Sequence, residues 1–219
     1  MTNDNAADEA EVEQAIADAV AAIKAGPLPA PNTRALFPRV EGFFTDCEGV
    51  ALARLCRDAT LLEVGSWKGR STVFAATGGA ARIVCVDTWQ GDTYTGPGNF
   101  WPEFRTNVDT YTAPGRVVPV VGRFQAVLDY VNVAAFDVLH YDADHDDQPT
   151  VAALEVFAAR CSPDAVIVCH DANYPNVRRI VDGVAADMGR AVSIVDRLAI
   201  LWPDAAYNCK RFDDVRGAP

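Results

Sequence analysis

Apolar residues along this chain follow two rhythms. Between Asp8 and Lys24, Val12, Ile16, Val20 and Ile23 recur at spacings of three and four, the stripe of one amphipathic helix. Gly26 with Pro27, Pro29 and Pro31 ends it and leaves an extended connector. Residues 1–35 therefore read as an appendage and residues 36–219 as one domain. A second helical pattern, Val40, Phe43, Phe44, Cys47, Val50 and Leu55, leads to a turn at Asp58. Beyond it, runs that are apolar on successive residues predict strands at 61–64, 83–86, 117–121, 136–141 and 165–169, each buried on both faces. Helical stretches at 71–76, 100–112, 124–131, 150–160 and 176–188 alternate with them, a βαβ rhythm that demands a parallel sheet. The last two strands, 191–195 and 198–202, are separated only by Asp196 and Arg197, and two residues join only antiparallel neighbours. The expected fold is α/β, doubly wound and mostly parallel, closing on an antiparallel hairpin.

Charge narrows the partners. With 30 acidic and 19 basic residues in 219, the formal charge is -11, so the surface repels a nucleic-acid backbone and an anionic membrane alike. No run approaches the roughly 20 successive apolar residues needed to cross a bilayer, and the opening MTNDNAADEAEVE is acidic where a secretory leader is basic. The expected setting is cytoplasmic. Six cysteines would suit a disulfide framework in a small secreted chain. Here Cys85 and Cys169 lie in strand-like runs, Cys47 and Cys56 in a helical pattern, and no CxxC pair occurs, so reduced structural thiols are expected. The apolar face of the first helix would suit a homodimer contact.

Four segments carry candidate chemistry. In LLEVGSWKGRST a buried strand runs into Gly65, and Gly69 opens the next helix with Ser71 and Thr72 in its first turn. Glycines admit close backbone approach to a ligand and helix-start N–H groups attract anions, although a plain strand-helix turn would read the same. The Gly-x-x-x-Gly spacing matches neither the dinucleotide fingerprint nor the Walker loop. In IVCVDTWQGD, Asp87 ends the next strand about twenty residues later, where a carboxylate accepts both ribose hydroxyls of a nucleoside or caps the segment that follows. DVLHYDADHDDQPT sets Asp142, Asp144, His145, Asp146 and Asp147 beyond a strand end. An EF-hand is excluded, because Asp147 and Ala153 stand where glycine and glutamate are required. AVIVCHDAN ends its strand with His170 and Asp171. Parallel strands bring Asp142, His170 and Asp171 to one edge, as ligands for a divalent ion or as a hydrogen-bonded polar cluster.

Together these segments resemble the class I S-adenosylmethionine-dependent methyltransferases. More narrowly, the sequence is similar to the small bacterial macrolide-sugar and aminocoumarin O-methyltransferases, with catechol O-methyltransferases as more distant cousins. The resemblance spans residues 61–202 and rests on Glu63, Gly65, Gly69 and Ser71, on VDTWQGD at 86–92, and on the DADH and HD pairs. It implies a Rossmann-like seven-stranded sheet, to which the N-terminal helix read above is an extension. It implies that Glu63, Gly65, Ser66, Trp67, Gly69 and Ser71 surround the methionine part of the cofactor and that Asp87 binds its ribose. Thr88 and Trp89 would flank the nucleoside, Gly122, Arg123 and Phe124 would hold the adenine, and Asp142 would also border the cofactor. Asp142, His170 and Asp171 would bind Mg2+ or another divalent cation, with His170 standing where relatives carry a carboxylate. Asp144 would be the base, with His145 its rival and Asp142 the weaker choice.

The expected activity is metal-assisted O-methylation of a small hydroxylated metabolite, a sugar or a phenol of secondary metabolism. Its rivals are a metal-independent N- or C-methyltransferase, a nicotinamide-dependent oxidoreductase, disfavoured by glycine spacing and final hairpin, and a non-catalytic module that keeps the pocket. The aromatic, glycine-rich stretch 89–116 reads equally as a substrate lid or as a surface connection.

Overall fold

The computed structural model describes residues 38–124, 128, 131–143 and 148–204. The expected N-terminal helix, Asp144, His145 and Cys209 lie outside them. Seven strands form one sheet in the order β3-β2-β1-β4-β5-β7-β6. They are β1 (Thr60–Val64), β2 (Arg82–Asp87), β3 (Val117–Val121), β4 (Val138–Tyr141), β5 (Val166–Cys169), β6 (Ala191–Val195) and β7 (Leu198–Trp202). Only β7 runs antiparallel, paired with β5 on one side and β6 on the other. The Asp196–Arg197 turn thus returns the chain at the carboxyl edge of the parallel strands.

Five α-helices flank the sheet among the described residues: α1 (Asp46–Leu55), α2 (Arg70–Thr77), α3 (Trp101–Tyr111), α4 (Gln148–Arg160) and α5 (Pro175–Asp187). On one face Leu62, Val84, Leu139 and Ile167 meet Leu154 and Phe157 of α4 and Val177 and Val181 of α5. On the other, Leu61, Ile83, Val138 and Val168 meet Leu52 of α1, Ala75 of α2 and Phe104 of α3. Two-sided burial explains the unbroken apolar strand runs. The described cysteines Cys47, Cys56, Cys85, Cys161 and Cys169 are free thiols. No helix of the described residues is long and apolar enough to cross a membrane.

Two elements differ from the sequence reading, and a third, open there between two readings, takes the packed one. The helix expected from Val40 begins only at Asp46, because Thr45 and Glu48 form a reciprocal capping box that satisfies the helix-start N–H groups there. Val131 forms a bend and not the end of a helix. In the 89–116 stretch, α3 buries Phe104 and Val108 while Trp89 packs against Trp101 and Phe104, at centroid distances of 4.8 and 4.6 Å. That helix is a packed connection, and exposure is concentrated between Gln90 and Asn99.

Residues 38–45 run as a strap across the start of α2. The Arg70 guanidinium donates to the carbonyls of Phe44 (2.6 Å), Val40 (2.5 Å) and Pro38 (3.4 Å) and pairs with Asp46 at 2.6 Å. Arg70→Ala should therefore free the strap, with faster proteolytic cleavage between residues 38 and 45 and a stability loss of about 2 kcal/mol, read by limited digestion and urea denaturation.

Candidate active site

The strand order reverses direction between β1 and β4, where a doubly wound sheet opens its crevice. Register there is level, with Val64 opposite both Val86 and Tyr141, and Tyr141 opposite Cys169. Gly65, Asp87, Asp142 and His170 consequently leave the sheet at one edge.

The loop from Gly65 to Gly69 is held between two carboxylates. Gly65 has φ +85° and lies so close to β4 that a Cβ there would sit 2.1 Å from the carbonyl oxygen of Asp142. Gly69 has φ +83° and opens α2 with no side-chain cap, leaving helix-start N–H groups for a ligand. From the crevice side, Asp87 Oδ2 accepts the N–H groups of Ser66 (2.7 Å) and Trp67 (2.8 Å), and Oδ1 accepts that of Trp89 (2.7 Å). Burial pushes the Asp87 carboxyl up more than the N–H groups of Trp89, Trp67 and Ser66 pull it down, so its pKa is raised. From beneath, fully buried Glu63 accepts from Ser66 Oγ at 2.9 Å and from the hydroxyl of Thr72, and meets His140 Nδ1 at 3.2 Å. Burial raises the Glu63 carboxyl, but His140, Thr72 and Ser71 outweigh it and the net shift is downward.

The strap covers this loop. Phe43 stacks on Trp67 with centroids 5.2 Å apart, and Lys68 pairs with Glu41 at 3.0 Å and with Glu103 at 3.1 Å. The buried indole Nε1 of Trp67 has no hydrogen-bond partner among the described residues. Thr88 is partly buried, and the Trp89 ring is in the core with its backbone N–H turned to Asp87. Gly122 donates to the carbonyl of Asp87 at 2.9 Å, Arg123 is exposed, and Phe124 packs against Tyr141 and Phe157.

Across the switch point, Asp142, His170 and Asp171 present donor atoms within 4.8 Å of one another. His170 Nδ1 lies 3.0 Å from Asp142 Oδ1 and 3.5 Å from Asp171 Oδ1, and Nε2 lies 3.3 Å from Glu48 Oε2. Burial lowers the His170 pKa, but the carboxylates of Asp142, Glu48 and Asp171 overcome it and lift it to about 10. Burial likewise raises Glu48, and His170, Thr45 and Arg197 bring it down to about 2. Arg197 reaches both oxygens of Glu48, at 3.2 Å through Nε and 3.1 Å through Nη2, and Asp171 at 3.4 Å.

The fold brings together the loop glycines, Asp87 and the three donors that the sequence singled out. It sets the Glu63 carboxylate and the Trp89 ring within the core, while Asp144 and His145 lie outside the described residues. Glu48, His140 and Arg197 were missed. Glu48 had a legible signal, the Thr-x-x-Glu capping pattern. His140 and Arg197 had none, since each meets its partner across the sheet or the hairpin.

A sheet of this order, with a glycine loop after β1 and an acid closing β2, defines the Rossmann-like class I methyltransferase fold. The chain belongs to the family described as Methyltransferase domain, whose model matches residues 62–172, just over half of its length, and it is accordingly an enzyme of methyl transfer. Solved structures similar to it include cofactor-bound Rv0187 from MTB, 23% identical with a TM-score of 0.58, over 86% of this chain and 89% of that one. The O-methyltransferase from Bacillus cereus in complex with SAH is 18% identical with a TM-score of 0.55, over 88% and 90%. CalS11, a TDP-rhamnose 3'-O-methyltransferase in calicheamicin biosynthesis, is 19% identical with a TM-score of 0.55, over 86% and 93%. No curated protein matches the chain by sequence.

Proposed function

We propose that this protein is an S-adenosylmethionine-dependent O-methyltransferase that acts, with help from a divalent cation, on a small hydroxylated metabolite such as a sugar or a phenol. The observation that carries this reading is the convergence of Asp142, His170 and Asp171 beside the glycine loop and Asp87. The loop fits a nucleoside cofactor: Gly65 lets it pack directly on the Asp142 backbone, the start of α2 is uncapped, and Trp67 Nε1 is a buried donor without a partner among the described residues. The cation site also fits, because the His170 nitrogen turned away from the two aspartates meets Glu48, the outer carboxylate that metal-binding histidines commonly use.

Gly65, Ser66, Trp67, Gly69 and Ser71 would surround the methionine end, Asp87 would hold the ribose, and Gly122, Arg123 and Phe124 would border the adenine. Glu63 contributes from beneath by bracing Ser66 and Thr72. Direct displacement demands alignment of acceptor and methyl group, supplied by the rigid sheet edge. A bound cation eases loss of the acceptor's proton. Asp144 would take that proton, with His145 the competing base. The acidic surface supports a small-molecule acceptor over nucleic acid.

One observation favours a metal-free alternative with N- or C-methylation. His170 as an imidazolium can itself neutralise Asp142 and Glu48. Calorimetry and chelation test both readings. S-adenosylhomocysteine should bind and NAD should not, and EDTA should abolish methyl transfer to a panel of phenols and sugars. Undiminished turnover after chelation selects the metal-free route, and binding of NAD alone overturns the assignment.

A further inference from the structure

The donor set at the sheet edge is mixed, two carboxylates and one imidazole, and the imidazole's orientation is fixed from outside the set. Glu48 is fully buried and already receives the backbone N–H groups of Thr45 (2.7 Å) and Arg197 (3.0 Å) besides two guanidinium contacts. An ionised carboxylate only accepts, so the His170 Nε2 facing it at 3.3 Å carries a proton. The Phe44 ring, tilted 37° with its centroid 5.0 Å from that of His170, restricts the imidazole further. Nδ1 is thereby left toward Asp142 and Asp171.

Facing the Asp142 carboxylate at 3.0 Å, Nδ1 also carries a proton before a cation binds; a bound cation displaces that proton to solvent and meets a neutral imidazole nitrogen, a borderline ligand. Such a nitrogen suits first-row transition ions, whereas Mg2+ takes oxygen ligands and keeps several waters. Resting on the metal-assisted reading above, we propose that this site selects a transition ion of the Mn2+ to Zn2+ series over Mg2+, with Glu48 as the positioning residue that makes His170 Nδ1 a ligand.

Titration of the full chain with Co2+, Zn2+ and Mg2+, together with 15N NMR of labelled histidines, tests this without any turnover assay. Zn2+ should move the Nδ1 resonance of His170 while Nε2 keeps its proton, and Co2+ should bind about a hundredfold more tightly than Mg2+. Because oxygen sites also lean toward Co2+, the ratio is compared with that of His170→Asp, where it should fall about tenfold or more. Glu48→Gln should weaken Co2+ binding about tenfold to a hundredfold, with circular dichroism reporting its folding. Should that variant fail to fold, His170→Asp and the NMR carry the test. An unchanged ratio in His170→Asp, or a silent Nδ1 on Zn2+ binding, overturns the inference and leaves cation assistance standing. Absence of binding by all three ions overturns both.

Discussion

Gly65→Ala should reduce the affinity for S-adenosylhomocysteine about a hundredfold, since misplacing a binding element by an ångström has effects of that size. The new Cβ would lie 2.1 Å from the Asp142 carbonyl oxygen and 2.6 Å from its carbon, backbone atoms tied into the sheet by the Asp142 N–H to Val64. Neither wall yields easily. The loop must move, and its movement pulls Ser66 and Trp67 away from Asp87, which they contact at 2.7 and 2.8 Å. The φ of +85° adds strain for any side chain, and strain with overpacking together should destabilise the fold by about 3 kcal/mol. For a chain of this size that lowers the thermal midpoint by about 6–12 °C. Gly183→Ala, where a Cβ meets open space in α5, is the control and should leave both measurements near the native values. Native affinity in Gly65→Ala would mean that the cofactor does not approach this loop.

Glu63→Ala should be the most destabilising single change in the loop's support, at about 3–5 kcal/mol. It leaves four buried groups without this acceptor: the hydroxyls of Ser66 and Thr72, the ring nitrogen of His140 and the thiol of Cys85, all 5% exposed or less. Unpaired polar groups in such a place bear their full desolvation cost. Glu63→Gln keeps an acceptor oxygen and the side-chain volume, so it should retain most of the lost stability. Urea denaturation measures both variants, and hydrogen exchange at the Ser66 and Trp67 amides reports whether the loop loosens first. Equal stability of Glu63→Ala and the native protein would show that the carboxylate braces nothing.

Strands were the easiest elements to read, because burial on both faces leaves only apolar residues at runs such as 83–86 and 198–202. Their boundaries held within two residues. The antiparallel closing hairpin was legible for a geometric reason, the two-residue link at Asp196 and Arg197. The start of α1 was misread because the apolar pattern from Val40 to Phe44 arises from packing under Arg70 and beside His170, not from helical periodicity. For the 89–116 stretch the sequence left lid and connection equal, and burial of Trp89 and Phe104 decided for a packed α3.

Taken alone, the sequence determined the alternation of strands and helices, the glycine turn after β1, the acid closing β2 and the arrival of Asp142, His170 and Asp171 at one edge. Each of these follows from local pattern plus the single rule that parallel strands share a carboxyl end. Only the tertiary structure decided the companions of those residues: Glu63 beneath the loop with His140, and Glu48 behind His170 with Arg197 from the hairpin turn. Glu48 and Arg197 are 149 residues apart in the chain. Hydrogen bonds to buried carboxylates depend on which elements pack together, and such contacts leave no periodicity in the chain to be read.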